Sequence, residues 1–330
     1  MFTDFRIARY ELVLEAGEKG LHLPQYKGST LRGGFGGVFR KICCSQPAQV
    51  CSGCLVGQTC PYALIFEPSP PQGSIVLKKY SDIPRPFVIE PPLETKMAYQ
   101  PGEQLVFRLM LIGQAIACFP YFVLAFKELG NVGLGKGRLP YTLAEVRAWS
   151  FRDASFSVIY CAGSNRITPV QNEITLQELQ QLYPAPSGQA LTLQFRTPTR
   201  LKFEQALVTS LPFHVVLRNL LRRISTLYYF YHGKEPGAEN IAYKALIDAA
   251  GQIETSTSEL TVVGWERYSH RQDARVNMGG LVGKATYTGA WEPFWPLLLL
   301  GEEIHVGKGC VFGLGWYEIR KSPLREGSPD

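Results

Sequence analysis

The first residues, MFTDFRIARYELVLEA, lack the apolar core and small-residue cleavage site of a signal peptide and alternate charged and apolar positions in strand fashion. Secretion is not expected, and a cytoplasmic setting is. The chain also lacks a clean membrane span. Its longest apolar run, Leu109 to Phe126, is interrupted by Gln114 and Pro120 and bounded by Arg108 and Lys127, so a strand entering a buried helix is the better reading. No internal repeat or low-complexity tract stands out, which argues against a solenoid or a disordered linker protein. Histidine is scarce: His22, His214, His232, His270 and His305 are the only five.

What is present suits a soluble globular protein with a substantial core. The 330 residues are 45% hydrophobic, a length and composition that suggest two domains of ordinary size. A formal net charge of +6 is compatible with an anionic partner, although an excess of this size is also what a solvated surface carries. Eight cysteines without an export signal point to a reducing compartment, where clustered thiols bind metal more often than they pair.

Periodicity and punctuation give an α+β chain. Strands are expected at Phe5 to Leu14, Phe87 to Glu90, Gln104 to Leu111, Leu143 to Phe151 and Ser155 to Cys161. Between them lie a helix over Leu31 to Ile42, capped by Ser29 or Thr30, and an apolar helix ending near Leu129. After YPAPSGQ (Tyr183 to Gln189), which reads as a linker, strands are expected at Ala190 to Arg196, Leu260 to Tyr268 and Leu281 to Thr288. The long helix there is Leu211 to Tyr231, with a second near Asn240 to Ala250 and a strand after the last glycines. Each half then reads βαββαβ, and two tandem ferredoxin-like (RRM-like) domains, residues 1–185 and 186–330, are the simplest architecture.

The first half carries a cysteine-rich insertion at residues 43–67, with the spacing Cys44-x6-Cys51-x2-Cys54-x5-Cys60. Four thiolates can close a tetrahedral zinc site, and the short Cys51 to Cys54 separation suits two ligands on one turn. Such a site leaves no open position for water, so the zinc expected here is structural; a disulfide or free thiols are the alternatives, and Cys43 could replace Cys44.

Near the end stands HVGKGCVFGLGWYEI, His305 to Ile319. It fails as a dinucleotide fingerprint, because Phe312 stands where the third glycine belongs, and as a P-loop, because Lys308 is followed by Gly309 rather than Ser or Thr. The following residues favour a strand, not the helix those motifs open. A mobile glycine turn is the plain alternative. Cations cluster in the same half: Arg196, Arg200 and Lys202 in FRTPTRLKF; Arg218, Arg222 and Arg223 in LRNLLRRI; Arg267, Arg271 and Arg275 in ERYSHRQDAR. Arginine forks suit phosphate oxygens, and Tyr or His rings stack on unpaired bases, so RNA or DNA is favoured over an ordinary amphipathic surface.

The stretch from ERYSHRQDARVNMGG through HVGKGCVFGLGWYEI resembles the C-terminal region of the CRISPR-associated precursor-RNA processing endoribonucleases of the RAMP superfamily. FRTPTRLKF, RNLLRRI, YKGSTLRGGFGGVFRK and the four-cysteine insertion also resemble that family, so the likeness spans almost the whole chain. It implies CRISPR repeat RNA as partner and one cut per repeat without a catalytic metal. The 2′-hydroxyl of the RNA attacks the adjacent phosphate, leaving a 2′,3′-cyclic phosphate and a 5′-hydroxyl. In this reading Arg200, Lys202, Arg218, Arg222, Arg223, Arg267 and Arg271, with Gly307, Lys308, Gly309, Gly313 and Gly315, contact RNA.

One departure matters. LRGGFGGVFRKICC contains no histidine where many members carry a Tyr or His, so His305 at the mouth of the loop becomes the expected acid/base, supported by Tyr26, Lys27 and Arg32. The competing reading is a catalytically inactive subunit that holds crRNA within a CRISPR effector complex.

Overall fold

The computed structural model describes residues 1–46, 50–70, 83–164, 166–234, 241–269 and 274–320; the side chains at 267–269 and 274–275 are outside the description. By contacts it divides into an N-terminal unit, Thr3–Thr175 with Thr226–Ala238, and a C-terminal unit, Met1–Phe2, Leu176–Ser225 and Glu239–Asp330.

The N-terminal unit runs β1 (Arg6–Ala16), α1 (Gly28–Cys43), β2 (Phe87–Glu90), β3 (Gln104–Ile112), α2 (Phe119–Val132), β4 (Tyr141–Ser150), β5 (Ser155–Cys161) and β6 (Glu173–Thr175). The sheet order is β2-β3-β1-β4-β5, antiparallel throughout, with β6 pairing the start of β1. The first four positions are the strand order of a ferredoxin-like βαββαβ frame. Along β1, Tyr10 stacks on Phe119 of the helix layer, ring centroids 3.8 Å apart, whereas Glu11 turns away to meet Arg147 at 2.8 Å. Two-residue alternation thus sorts core from ionic face.

This core is aromatic. Phe35 on α1 stacks on Phe39, Phe122 and Phe126 at 4.9, 4.7 and 5.3 Å. Stretches of α1 that read as weak helix, with Gly33, Gly34, Gly36 and Gly37, serve that packing unequally. A Cβ at Gly36 would lie 1.8 Å from the Phe66 ring, and one at Gly34 2.9 Å from Leu129, but Gly33 and Gly37 face open space. The helix begins at Gly28 with Lys27 as its N-cap and no side-chain capping bond, so neither Ser29 nor Thr30 is the cap expected from sequence. Residues Gly113–Val132 are long and apolar enough to cross a membrane by composition alone. Phe122, Ala125, Phe126 and Leu129 within that stretch are instead core residues of this unit.

The C-terminal unit repeats the frame: β7 (Ala190–Thr199), α3 (Phe213–Tyr231), α4 (Tyr243–Ala250), β8 (Glu254–Val263), a hairpin β9 (Glu266–Ser269) and β10 (Ala274–Asn277), then β11 (Gly280–Thr288), α5 (Trp295–Ile304) and β12 (Tyr317–Arg320). Its sheet order is β8-β11-β7-β12, again antiparallel. Two of its helices add aliphatic side chains to the core: Leu217, Leu220 and Ile224 of α3 and Leu297, Leu298 and Leu300 of α5 are fully buried, as are Tyr287, Trp291 and Tyr317. The single strand expected at Leu260 to Tyr268 is two. The chain breaks at Gly264 and Trp265, where the Trp265 carbonyl accepts from Met278 and Gly279 N–H, and β9 pairs with β10 in a separate ribbon.

Candidate nucleic-acid interface

The glycine loop is a folded structure, pinned to the end of β7. Val306 and Gly315 pair through the Val306 N–H (3.0 Å), the Lys308 N–H donates to Arg200 carbonyl (3.0 Å), and the Gly315 N–H donates to Pro198 carbonyl (3.2 Å). Thr197, buried, clamps the other side: its hydroxyl donates to Gly313 carbonyl at 2.8 Å and accepts from the Trp316 N–H at 3.0 Å. Gly307, Gly309, Gly313 and Gly315 all have positive φ, from 72° to 90°. A Cβ at Gly315 would sit 1.8 Å from Val306 carbonyl, and one at Gly307 2.5 Å from Arg200 carbonyl. These glycines therefore answer a left-handed backbone and close approach by the protein itself.

The expectation for His305 is corrected. It is the C-cap of α5, with φ 64°, fully buried, and its Nδ1 is 3.2 Å from Leu314 carbonyl while the ring stacks on Trp316. A proton-transfer group must reach its substrate; this imidazole is built into the hinge of the loop. Arg223 likewise has a structural task, its Nε donating to Ile304 carbonyl at 3.0 Å and so capping α5.

The remaining cations gather. Lys308, Lys202, Arg218 and Arg222 are exposed and Arg200 half-buried. The Lys308 ammonium is held below its ordinary pKa, by partial burial first and then by Lys202, Arg200 and Arg222. Arg200 is fixed by donating to Asn277 carbonyl. The short hairpin Lys202–Phe203 with Ala206–Leu207 is held against α3 by buried Asn219, whose Nδ2 donates to Lys202 carbonyl at 3.1 Å. Its turn residues Glu204 and Gln205 have φ of 49° and 67°. Phe203 carries His214 edge-on at 5.3 Å and lies under the Arg218 guanidinium at 5.7 Å. Sequence reasoning missed Thr197, Phe203 and Asn219. The turn in particular gave no signal, because neither Glu nor Gln advertises left-handed backbone.

In the N-terminal unit, Lys27 is fully buried and its ammonium donates to Gln25 and Glu94 carbonyls at 3.2 and 2.8 Å, so it ties the entry to α1 rather than facing a substrate as expected. Arg32 lies over the Phe66 ring at 3.8 Å, and Tyr26 is half-buried. Arg271 lies outside the described residues, and Arg267 is placed only as backbone in β9.

Cys44, Cys51, Cys54 and Cys60 line one cavity in the insertion, together with Val56, Gly57 and Ala63. Burial raises the Cys51 thiol pKa, with Glu67 adding to it. Among the described residues, no three His, Cys, Asp or Glu side chains stand close enough to share an ion, so the zinc site expected from spacing is not formed as it stands.

Comparison with known proteins bears on both units. A family model described as an N-terminal domain matches residues 5–172, and the model of the CRISPR-associated endoribonuclease Cas6 matches residues 193–317. An uncharacterized protein of Archaeoglobus fulgidus is 25% identical over 309 residues, covering 91% of this chain and 93% of its own. A Cas6 product complex superposes with a TM-score of 0.59 at 17% identity, over 95% of this chain and 99% of that one. Thermus thermophilus Cas6 gives 0.53 at 16% identity, over 96% and 99%. At such identities the structural likeness speaks for the fold.

Proposed function

We propose that this chain, whose residues 193–317 match the model of the CRISPR-associated endoribonuclease Cas6, is a member of that family that binds CRISPR repeat RNA and cleaves precursor crRNA within each repeat. The reaction is transesterification: the 2′-hydroxyl attacks the adjacent phosphorus as a base removes its proton, the bond to the 5′-oxygen breaks, and an acid protonates the departing oxygen. The products are a 2′,3′-cyclic phosphate and a 5′-hydroxyl. No metal is needed, because arginine and lysine can stabilise the crowded phosphorane.

The observation that carries this reading is the group of cations around Lys308. Bringing Lys202, Arg200 and Arg222 to one ammonium is costly without an anion, and a phosphate relieves that repulsion. Arg218 extends the contact along α3. The buried His305 serves by holding the loop that presents Lys308.

Labelled repeat RNA incubated with the protein in EDTA is expected to be cut once. The same RNA with one 2′-deoxy substitution at the scissile position is expected to stay whole. The burial of His305 and the histidine-free α1 favour a second reading, an inactive crRNA-binding subunit; binding without cleavage would establish it.

The insertion fits a structural zinc held by Cys44, Cys51, Cys54 and Cys60, because these four thiols face one cavity and are of the right chemistry. Binding needs their deprotonation and a small closure of the loop. Protein purified without chelator is expected to hold about one zinc per chain and to lose thermal stability on chelation; full stability with no metal would rule the zinc out.

A further inference from the structure

The four described histidines divide by what their rings do. His305 is buried against Leu314 carbonyl. His232 is bonded at both nitrogens, accepting from the Arg6 N–H at 2.8 Å and lying 3.4 Å from Leu227 carbonyl. His22 is exposed on the two-residue strand Leu21–His22, with no ring contact among the described residues to orient it. His214 differs from all three. It is half-buried in the first turn of α3 and oriented by the edge of Phe203, and its ring nitrogens make no hydrogen bond among the described residues.

Its surroundings are cationic. His214, Arg218 and Arg222 fall at i, i+4 and i+8, one above another on a single face of α3, each step rising about 6 Å. Arg222 acts on Lys308 at one end of this row, and His214 stands at the other. The hairpin that carries Lys202 to the cations also carries Phe203 to the imidazole, and Asn219 fixes that hairpin to the same helix. Burial first, and Arg218 second, lower the pKa of the imidazole, which keeps it neutral and able to accept a proton near pH 7.

Resting on the RNA-cleaving reading above, we propose that His214 is the general base of the reaction, seated at the end of a cationic row Lys308, Arg222, Arg218 that holds the RNA backbone. The imidazole takes the proton from the 2′-hydroxyl as that oxygen bonds to phosphorus and the bond to the 5′-oxygen breaks. The 5′-oxygen leaves with a proton from solvent or a second group, and the imidazolium returns its own to water. Arg218 stabilises the phosphorane next to it.

The experiment is single-turnover cleavage of labelled repeat RNA in EDTA by wild type, His214→Ala and His214→Gln, with the RNA dissociation constant and thermal melt of each. Both variants are expected to cleave about 10²-fold more slowly or worse while binding RNA and melting as wild type does, and added imidazole is expected to restore part of the His214→Ala rate. A wild-type rate in either variant, or a slow rate accompanied by equal loss of binding and no imidazole rescue, would overturn the proposal. If wild type itself does not cut, the cleavage reading falls and the proposal with it; a wild type that cuts beside an unimpaired variant removes the proposal alone.

Discussion

The two units use one strand order but treat positive charge in opposite ways. In the N-terminal unit Lys27 is buried against two carbonyls, Arg32 lies on Phe66 and Arg40 stands over Tyr62, so these three cations at α1 are engaged in packing. In the C-terminal unit Lys202, Arg218, Arg222 and Lys308 remain at the surface, and Lys202 and Arg222 act on the Lys308 ammonium. Glycine divides similarly. On α1 two glycines face open space, whereas Gly315 in the C-terminal loop is pressed against Val306 carbonyl. A residue type is thus no guide to its task until the backbone has placed it.

Gly315→Ala tests that contrast most severely. The new methyl meets a carbonyl that cannot move aside, on a left-handed backbone, and a loss on the order of 3 kcal/mol or more is expected. Denaturant unfolding followed by tryptophan fluorescence measures it; a loss of under about 1 kcal/mol would mean the loop is not pinned as described.

The N-terminal unit is expected to be the acid-sensitive one. Burial first, with Arg6 adding to it, lowers the His232 pKa from 6.5 to about 4 against the opposing bond to Leu227. Because the folded state prefers the neutral ring, this stability is complete above about pH 6.5 and is lost as pH falls toward 4, by about 3 kcal/mol in all. Urea unfolding at pH 7 and pH 5 reads the slope, and His232→Asn should flatten it. An unchanged slope would place the acid sensitivity elsewhere.

The smallest effect has the opposite sign. Gly33→Ala and Gly37→Ala on α1 meet nothing within 4 Å, so each should stabilise the N-terminal unit by about 0.5 to 1 kcal/mol through helix propensity. Destabilisation by either would show that the open face is occupied in the folded protein.

Much of the fold was legible in advance. Phe87–Glu90 and Ser155–Cys161 are strands at the residues periodicity marked, and α3 begins within two residues of expectation. Apolar content carries those elements: Phe87, Val88 and Ile89 are buried in succession, and α3 buries Leu217, Leu220 and Ile224. The strand β8 was the failure: Glu254 to Glu259 is polar and exposed on both faces, so only its pairing with β11 makes it a strand. Of the candidate site, the cations and Gly-rich loop were visible as types and spacings, but the commitment of Lys27, Arg223 and His305 to carbonyl groups was not.

The amino-acid order determined where each unit alternates, which helices are amphipathic and that left-handed turns would fall near the C-terminus, because these follow from side-chain pattern and from glycine's freedom at positive φ. The tertiary structure alone decided that, of His214 and His305, the first keeps ring nitrogens with no hydrogen bond among the described residues. His214 and His305 are chemically identical in sequence; Phe203 holds one half-exposed by its edge, while Leu314 and Trp316 enclose the other, and both environments come from residues about nine or more positions away.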